Sequence, residues 1–290
     1  MAFRGGPAFT RTAPQGIFMT IDDSSAVPQR LDLALAAARE AGRLTLQYFR
    51  REDLQVDRKQ DRSPVTRADR ESEQLLRRRI NERFPQDAIL GEEFGEQPGT
   101  SGYRWILDPI DGTKSFICGV PLYGTLVGVE HSGRSVVGVI DIPALGECVY
   151  AGSGLGAWYC HGDSPPRAAR VSECSSLDQA VFLTSQLDLF DQRGAFEAYR
   201  QLEQQAAITR TWGDCYGYVL VATGRADVMI DAVMSLWDAA ALQPIIEEAG
   251  GAFSDWTGQP TIHSGETLAC SRPLHESILA ITRRFPRVAT

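Results

Sequence analysis

The chain has 290 residues, 43% of them hydrophobic, with 29 basic against 37 acidic residues and a formal net charge of −8. That length can bury one large core or two lobes, and the acidic balance argues against a nucleic acid or an anionic membrane as partner. No apolar stretch approaches the roughly 18 residues that span a bilayer, and the basic run Arg77-Arg78-Arg79 falls on an expected helix surface.

In chain order, residues 1–28 are rich in Gly, Pro, Ser and Thr and carry no helical apolar period, so they are predicted to be a disordered tail. They also lack the apolar h-region of a signal peptide, and Met19 is a candidate start. Residues 31–50 are predicted to be an amphipathic helix, with Leu31, Leu35, Ala38, Gly42, Thr45, Leu46 and Phe49 on one face. Residues 54–64 form a charged polar loop, readable as a solvated connection or as a mobile flap. Thr66-Arg67-Ala68-Asp69 has the form of a capping box and opens a second helix to about residue 84. Residues 88–90 read as a short strand ending in Gly91-Glu92-Glu93. Trp105-Ile106-Leu107 reads as a buried strand that Pro109 should stop.

Residues 124–130, 135–142 and 147–150 alternate as an antiparallel meander. Gly152-Ser153-Gly154-Leu155-Gly156 reads as a hairpin turn, because it lacks the G-x-G-x-x-G spacing and no helix follows it. A boundary is expected at residues 162–170. Beyond it come a strand at 181–184, a helix at 194–205, an apolar helix at 213–223 and a strand at 226–231. A helix at 238–250 with Asp238 at its start, a strand at 268–270 and a last helix at 274–284 complete the chain. The expected organisation is a tail (1–28), an N-terminal α+β half carrying metal and phosphate sites (29–165) and a C-terminal α/β half that chooses the substrate (166–290). Helices on mixed sheets in two halves stack as a layered sandwich.

The six cysteines form no C-x-x-C pair and the four histidines no ligand cluster, which argues against a zinc ribbon or a disulfide scaffold. A reducing, cytoplasmic compartment is the expectation.

Four acids fall at element ends: Glu92, Asp108, Asp111 and Asp238. Singly, each has an ordinary explanation as a helix cap or a solvated turn. Together they would repel one another if they converged without a counter-charge, and carboxylates of this kind suit Mg²⁺. Gly112-Thr113, opening a helix just after the second acid, offers backbone N–H groups to a phosphate. The magnitudes favour a metal for phosphate-ester cleavage. Accelerations reach ~10²¹, of which positioning supplies ~7–11 kcal/mol and acid–base help ~10²–10⁴. The remainder is electrostatic, and a two-metal clamp supplies it.

Gly91-Glu92-Glu93, Asp108-Pro109-Ile110-Asp111-Gly112-Thr113 with Phe116, and Trp237-Asp238 with Ala240 and Glu248-Ala249-Gly250-Gly251 occur in one order. This set resembles the inositol monophosphatase family over about residues 30–285. The resemblance implies a Mg²⁺-dependent phosphomonoesterase on an α+β, layered αβαβα sandwich of the inositol monophosphatase/fructose bisphosphatase type, usually a homodimer. It implies that Glu92, Asp108, Asp111, Asp238 and the Ile110 carbonyl hold two or three Mg²⁺ ions. Asp111, Gly112 and Thr113 would bind the phosphate. Thr113, paired with Asp69, and Glu92 would form the catalytic set, with in-line attack by a metal-activated water and no phosphoenzyme.

The segment Trp212-Gly213-Asp214-Cys215-Tyr216-Gly217-Tyr218 departs from the inositol phosphatase pattern and resembles the histidinol-phosphate phosphatase branch. Lys114-Ser115-Phe116-Ile117 and Ser63-Pro64-Val65-Thr66 also resemble that branch. The small phosphorylated substrate implied is L-histidinol phosphate, a histidine-biosynthesis ester, with Gly213, Asp214, Cys215, Asp231 and Asp238 contacting it. Asp214 and Asp231 would face its cationic groups, and Tyr216 or Trp212 its ring. The alternatives are an inositol 1-phosphate or broad sugar phosphatase and, in a different class, an inactive Mg²⁺-binding regulatory protein. Retention of all four acids and Thr113 argues against the last.

Overall fold

The computed structural model describes residues 25–59 and 63–287. Its elements are α1 (Ala26–Leu46), β1 (Val56–Arg58), β2 (Pro64–Thr66), α2 (Arg67–Arg83), β3 (Ala88–Gly91), β4 (Gly95–Gln97), β5 (Tyr103–Asp111), α3 (Thr113–Ile117), β6 (Gly124–His131), β7 (Arg134–Ile142), β8 (Glu147–Gly152), β9 (Gly156–His161) and β10 (Arg167–Ala168). There follow β11 (Val181–Leu183), α4 (Leu187–Gln192), α5 (Phe196–Gln205), β12 (Ile208–Arg210), α6 (Cys215–Ala222), β13 (Val228–Asp231), α7 (Leu236–Ala239), α8 (Leu242–Glu248), β14 (Ala252–Ser254), β15 (Thr267–Cys270) and α9 (His275–Thr282).

The larger sheet has eight strands in the order β10-β9-β8-β7-β6-β5-β3-β4, and only β3 and β5 pair in parallel within it. The smaller sheet has five, β12-β11-β13-β15-β14, with β11 parallel to both of its neighbours. The apolar stripe of α1 (Ala34, Ala37, Ala38, Ala41) packs with Leu75, Leu76 and Ile80 of α2 over Trp105, Val127 and Val139 of the large sheet. The opposite face of that sheet meets α6 and α8 in a core that continues to Leu183 and Met229 of the small sheet. Helices α5 and α9 cover the far side of the small sheet through Tyr199, Leu202, Ile278 and Leu279. The layers therefore run αβαβα, the sandwich expected from sequence. Among the described residues no helix is long and apolar enough to cross a membrane.

Several local expectations are corrected. Helix α1 begins five residues before the predicted start, because Pro28 sits in its first turn, where a missing N–H costs nothing. Residues 26–28 therefore belong to a helix and not to a tail, while residues 1–24 lie outside the described residues. The charged loop at 54–64 is partly a hairpin: Val56, Asp57 and Arg58 pair with Thr66, Val65 and Pro64. Residues 60–62, the centre of the expected flap, are not described.

Pro109 does not stop β5. The parallel partner β3 ends opposite Leu107, so Pro109 lies past it and its missing N–H leaves no ladder bond unmade on that side. The β5–β6 register shifts between Asp108 and Asp111 instead. The single helix expected at 238–250 is two. Pro244 has no N–H for the Ala240 carbonyl, which accepts from the Ser135 hydroxyl at 2.6 Å. Strands β4, β12 and β14 and helix α4 were not anticipated; each is short and has no clear period.

Candidate active site

Strand β5 runs out at the register shift with Asp108 and Asp111 at its end. The Ile110 N–H donates to Asp108 Oδ1 at 3.0 Å, and the Thr125 hydroxyl holds the Pro109 carbonyl at 2.9 Å. Asp238 comes from the other half of the chain. It does not start the helix, as read from sequence, but is the third residue of α7; the cap is Ser235, whose N–H donates to Asp238 Oδ2 at 3.0 Å. One carboxylate oxygen from each of Asp108, Asp111 and Asp238 lies within 4.8 Å of the others.

Burial, reinforced by neighbouring acids, drives all three carboxyls upward. Asp108 and Asp111 rise well above the carboxylate range, and Asp238 is pushed up to about 7. For Asp108 the main neighbour is Glu92, and for Asp111 it is Asp214. Buried acids this close are stable when protonated or when a cation sits among them. An all-oxygen, carboxylate-rich donor set fits a hard divalent cation such as Mg²⁺.

Glu92 follows β3, the strand next to β5, and its N–H donates to the Leu107 carbonyl at 3.2 Å. Its side chain stands apart from the close triad: Glu92 Oε1 and Glu93 Oε1 receive Lys59 Nζ at 2.5 and 2.6 Å. Burial lowers the Lys59 ammonium, but its two carboxylate partners outweigh that and hold it raised. Lys59 follows β1, so the β1–β2 hairpin brings a cation to the acidic cluster. Sequence reading missed Glu73, which fixes this turn. Fully buried on α2, it accepts from the Glu93 and Phe94 N–H groups at 2.7 and 3.2 Å and from Arg77 at 2.7 Å. Gly91 is required there, since a Cβ at that position would lie 2.0 Å from Glu73 Oε1.

Gly112 turns the chain into α3 with φ +83°, a left-handed conformation that glycine adopts without strain. The Thr113 hydroxyl donates to the Ile110 carbonyl at 3.1 Å. A hydroxyl has one proton, so in this arrangement Thr113 does not donate to Asp69, as the sequence reading expected. Asp69 Oδ2 accepts instead from the Thr66 N–H and hydroxyl at 2.7 and 2.6 Å, completing the capping box of α2. Burial, partly offset by those bonds, raises Asp69 to about 6.

Beside the triad lies a cavity of about 110 Å³, lined by Asp111, Asp214, Cys215, Tyr218, Asp231 and Asp238 among others. It shares Gln186, Leu189 and Asp238 with a larger groove of about 740 Å³ that also meets Glu92, Lys114 and Trp237. Asp214 caps α6 with φ +50°, a strained value for a residue with a side chain. Its N–H is fixed by Ser185 Oγ at 2.9 Å. Burial and then Asp231 push its carboxyl up to about 6, against the pull of Lys114. Gly213 lets this turn approach β11, because a Cβ would fall 2.1 Å from the Ser185 Cα. The Cys215 N–H donates to the Asp111 carboxylate, joining the two halves of the chain.

Asp231, at the end of β13, accepts from the Ser185 N–H at 2.9 Å and the Tyr218 hydroxyl at 2.9 Å. The aromatic residue of the cavity is thus Tyr218. Tyr216, one of the two rings expected to face substrate, sends its hydroxyl to Glu147 at 3.1 Å and lies beside Arg225, away from the cavity lining. Trp212 is 45% exposed and does not line it. Gln186 and Leu189 went unnoticed in sequence because α4 and its cap carry no legible pattern.

The inositol monophosphatase family profile matches residues 28–286. A histidinol-phosphatase of Chlorobaculum parvum is 48% identical over 82% of this chain and 90% of its own length. A histidinol-phosphatase of Streptomyces coelicolor is 36% identical over 87% of this chain and 97% of its own. A solved inositol monophosphatase from Zymomonas mobilis superposes with a TM-score of 0.78 at 33% identity, covering 89% of this chain and 99% of that one. The chain belongs to the inositol monophosphatase family and, with those relatives, is a phosphomonoesterase.

Proposed function

We propose that this phosphomonoesterase hydrolyses L-histidinol phosphate to L-histidinol and phosphate, with Mg²⁺ as its metal. The observation that carries the substrate is Asp214: a half-buried acid with a raised carboxyl, facing a cavity that opens beside the acidic triad. An ammonium or imidazolium of the alcohol bound there offsets the cost of that charge, and an inositol offers no cation. Two histidinol-phosphatases at 48% and 36% identity support the same reading.

The residues divide the work. Asp108, Asp111, Asp238, Glu92 and the Ile110 carbonyl would hold two or three Mg²⁺ ions, which supply an activated water and neutralise charge on the phosphate when bound. Asp111 and the N–H groups of Gly112 and Thr113 would orient the phosphate. Asp69, with its carboxyl near 6, is tuned to accept a proton near neutral pH. Asp214 and Asp231 would hold the cationic end of the alcohol, with Gly213 and Cys215 setting the turn that aims Asp214. A cytoplasmic homodimer acting in histidine biosynthesis is the cellular setting we attach to this reading.

The test is steady-state kinetics with Mg²⁺ on histidinol phosphate and inositol 1-phosphate. A higher kcat/KM for histidinol phosphate is expected. A higher value for inositol 1-phosphate would overturn the substrate, and no phosphate release from any ester would favour a regulatory role.

A further inference from the structure

Hydrolysis leaves one cluster of reactive side chains without a role. Asp141 of β7, Cys148 of β8 and Cys160 of β9 are successive register partners across three strands, so they share one face of the large sheet. That face lies under α1, which sends Arg39 onto the row: its guanidinium nitrogen is 2.6 Å from Cys160 Sγ. Both thiols are almost fully buried and free. Cys160 Sγ reaches the Cys148 carbonyl at 3.7 Å.

We propose that Cys148 and Cys160 form a peroxide-sensitive thiol pair, closed by oxidation into a cross-strand disulfide. Directly opposed residues of an antiparallel pair have Cα atoms about 4.5–5.5 Å apart, inside the ~4.4–6.8 Å that a disulfide spans. The two thiols are also differentiated. The adjacent Cys148 side chain, and after it the Arg39 guanidinium, hold Cys160 down to about 6 against burial, whereas Cys148 is raised by the neighbouring Cys160 and by burial. A thiolate beside a cation is the attacking form of cysteine, and the neighbouring thiol is its resolving partner.

The chemistry balances with hydrogen peroxide as oxidant. The Cys160 thiolate attacks one peroxide oxygen; the O–O bond breaks, and hydroxide leaves and is protonated to water. This gives the sulfenic acid. Cys148, surrendering its proton, attacks that sulfur, and a second water leaves. Two thiols lose two electrons and two protons, and one peroxide becomes two waters. A metal is the rival occupant of a cysteine pair, but the Arg39 charge on Cys160 opposes a cation there.

The experiment uses the intact folded protein, treated with hydrogen peroxide, quenched with an alkylating agent and digested for mass spectrometry. A linked Cys148–Cys160 peptide pair, two hydrogens lighter than the reduced pair and lost with a reductant, is expected. In Cys148→Ser, a dimedone-reactive sulfenic acid should accumulate on Cys160. Arg39→Gln should slow the loss of the two thiols at least ten-fold at pH 7. The proposal is overturned if the two cysteines stay reduced while exposed Cys118 oxidises, or if they oxidise without linking. It is equally overturned if the protein as purified carries one zinc per chain that is lost in Cys160→Ser. The wild-type peptide map stands without the variants, should any of them fail to fold.

Discussion

Asp108, buried, and Asp214, half-buried, both have raised carboxyls, and they make different predictions. Asp108 belongs to the close triad. Asp108→Asn should cut kcat by at least ~10²-fold, more than the loss of an outer-sphere partner of a metal ligand usually costs. It should also raise the melting temperature of the metal-free protein at pH 8, because one of the mutually repelling charges is gone. Residual turnover near wild type, or a lower metal-free Tm, would count against the metal assignment. Asp214 faces the alcohol in the proposed complex. Asp214→Ala should lower kcat/KM for histidinol phosphate at least ten-fold more than for the neutral ester glycerol 2-phosphate. Equal losses on the two substrates would remove Asp214 from specificity.

At the scale of elements, the site depends on turns that its neighbours fix. The Glu92 turn is set by Glu73 on α2, and Gly91 leaves room for that carboxylate. Gly91→Ala should destabilise the fold by about 1–3 kcal/mol through overpacking and should raise the Mg²⁺ concentration for half-maximal activity. Thermal unfolding and a Mg²⁺ titration of phosphate release check the two effects. Much of the site was legible at this scale. Glu92, Asp108, Asp111 and Asp238 were all found at element ends, because a polar residue closing an apolar run is a local pattern. Starting the helix at Asp238 was wrong for a reason equally local: Ser235 precedes it by three residues and completes the box. Ser185 was missed because its role arises from β11 and β13 lying side by side, and the role of Tyr218 because it needs α6 set against Asp231 of β13. Tyr216 was misassigned because one position on α6 decides between the cavity and Arg225.

The whole molecule carries its own pH dependence. Burial outweighs the Arg39 charge and pushes the Asp141 carboxyl from 3.8 up to about 7. Between those values the folded state binds more protons than the unfolded one, so stability falls as pH rises. The contribution is fully present below about pH 4 and lost as pH passes 7, an order-of-magnitude effect of at most about 4 kcal/mol. In saturating Mg²⁺, where the site carboxyls are neutralised, Asp141→Asn should flatten the decline in Tm between pH 5 and 8. An unchanged slope would show that Asp141 is not the titrating group.

The sequence alone determined the family and the α+β sandwich, and it singled out four acids as candidates. Each is written in short motifs or in periodicity, where residues report on their immediate neighbours. The tertiary structure decided what distance in sequence hides. It brought Asp238 to within 4.8 Å of acids more than a hundred positions earlier. It gave Lys59 to Glu92 and the Tyr218 hydroxyl to Asp231. It carried β5 through Pro109, because the partner strand that would have needed its N–H had already ended. Convergence, hydrogen-bond choice and desolvation depend on which chain segments are packed side by side, and no local pattern carries that information.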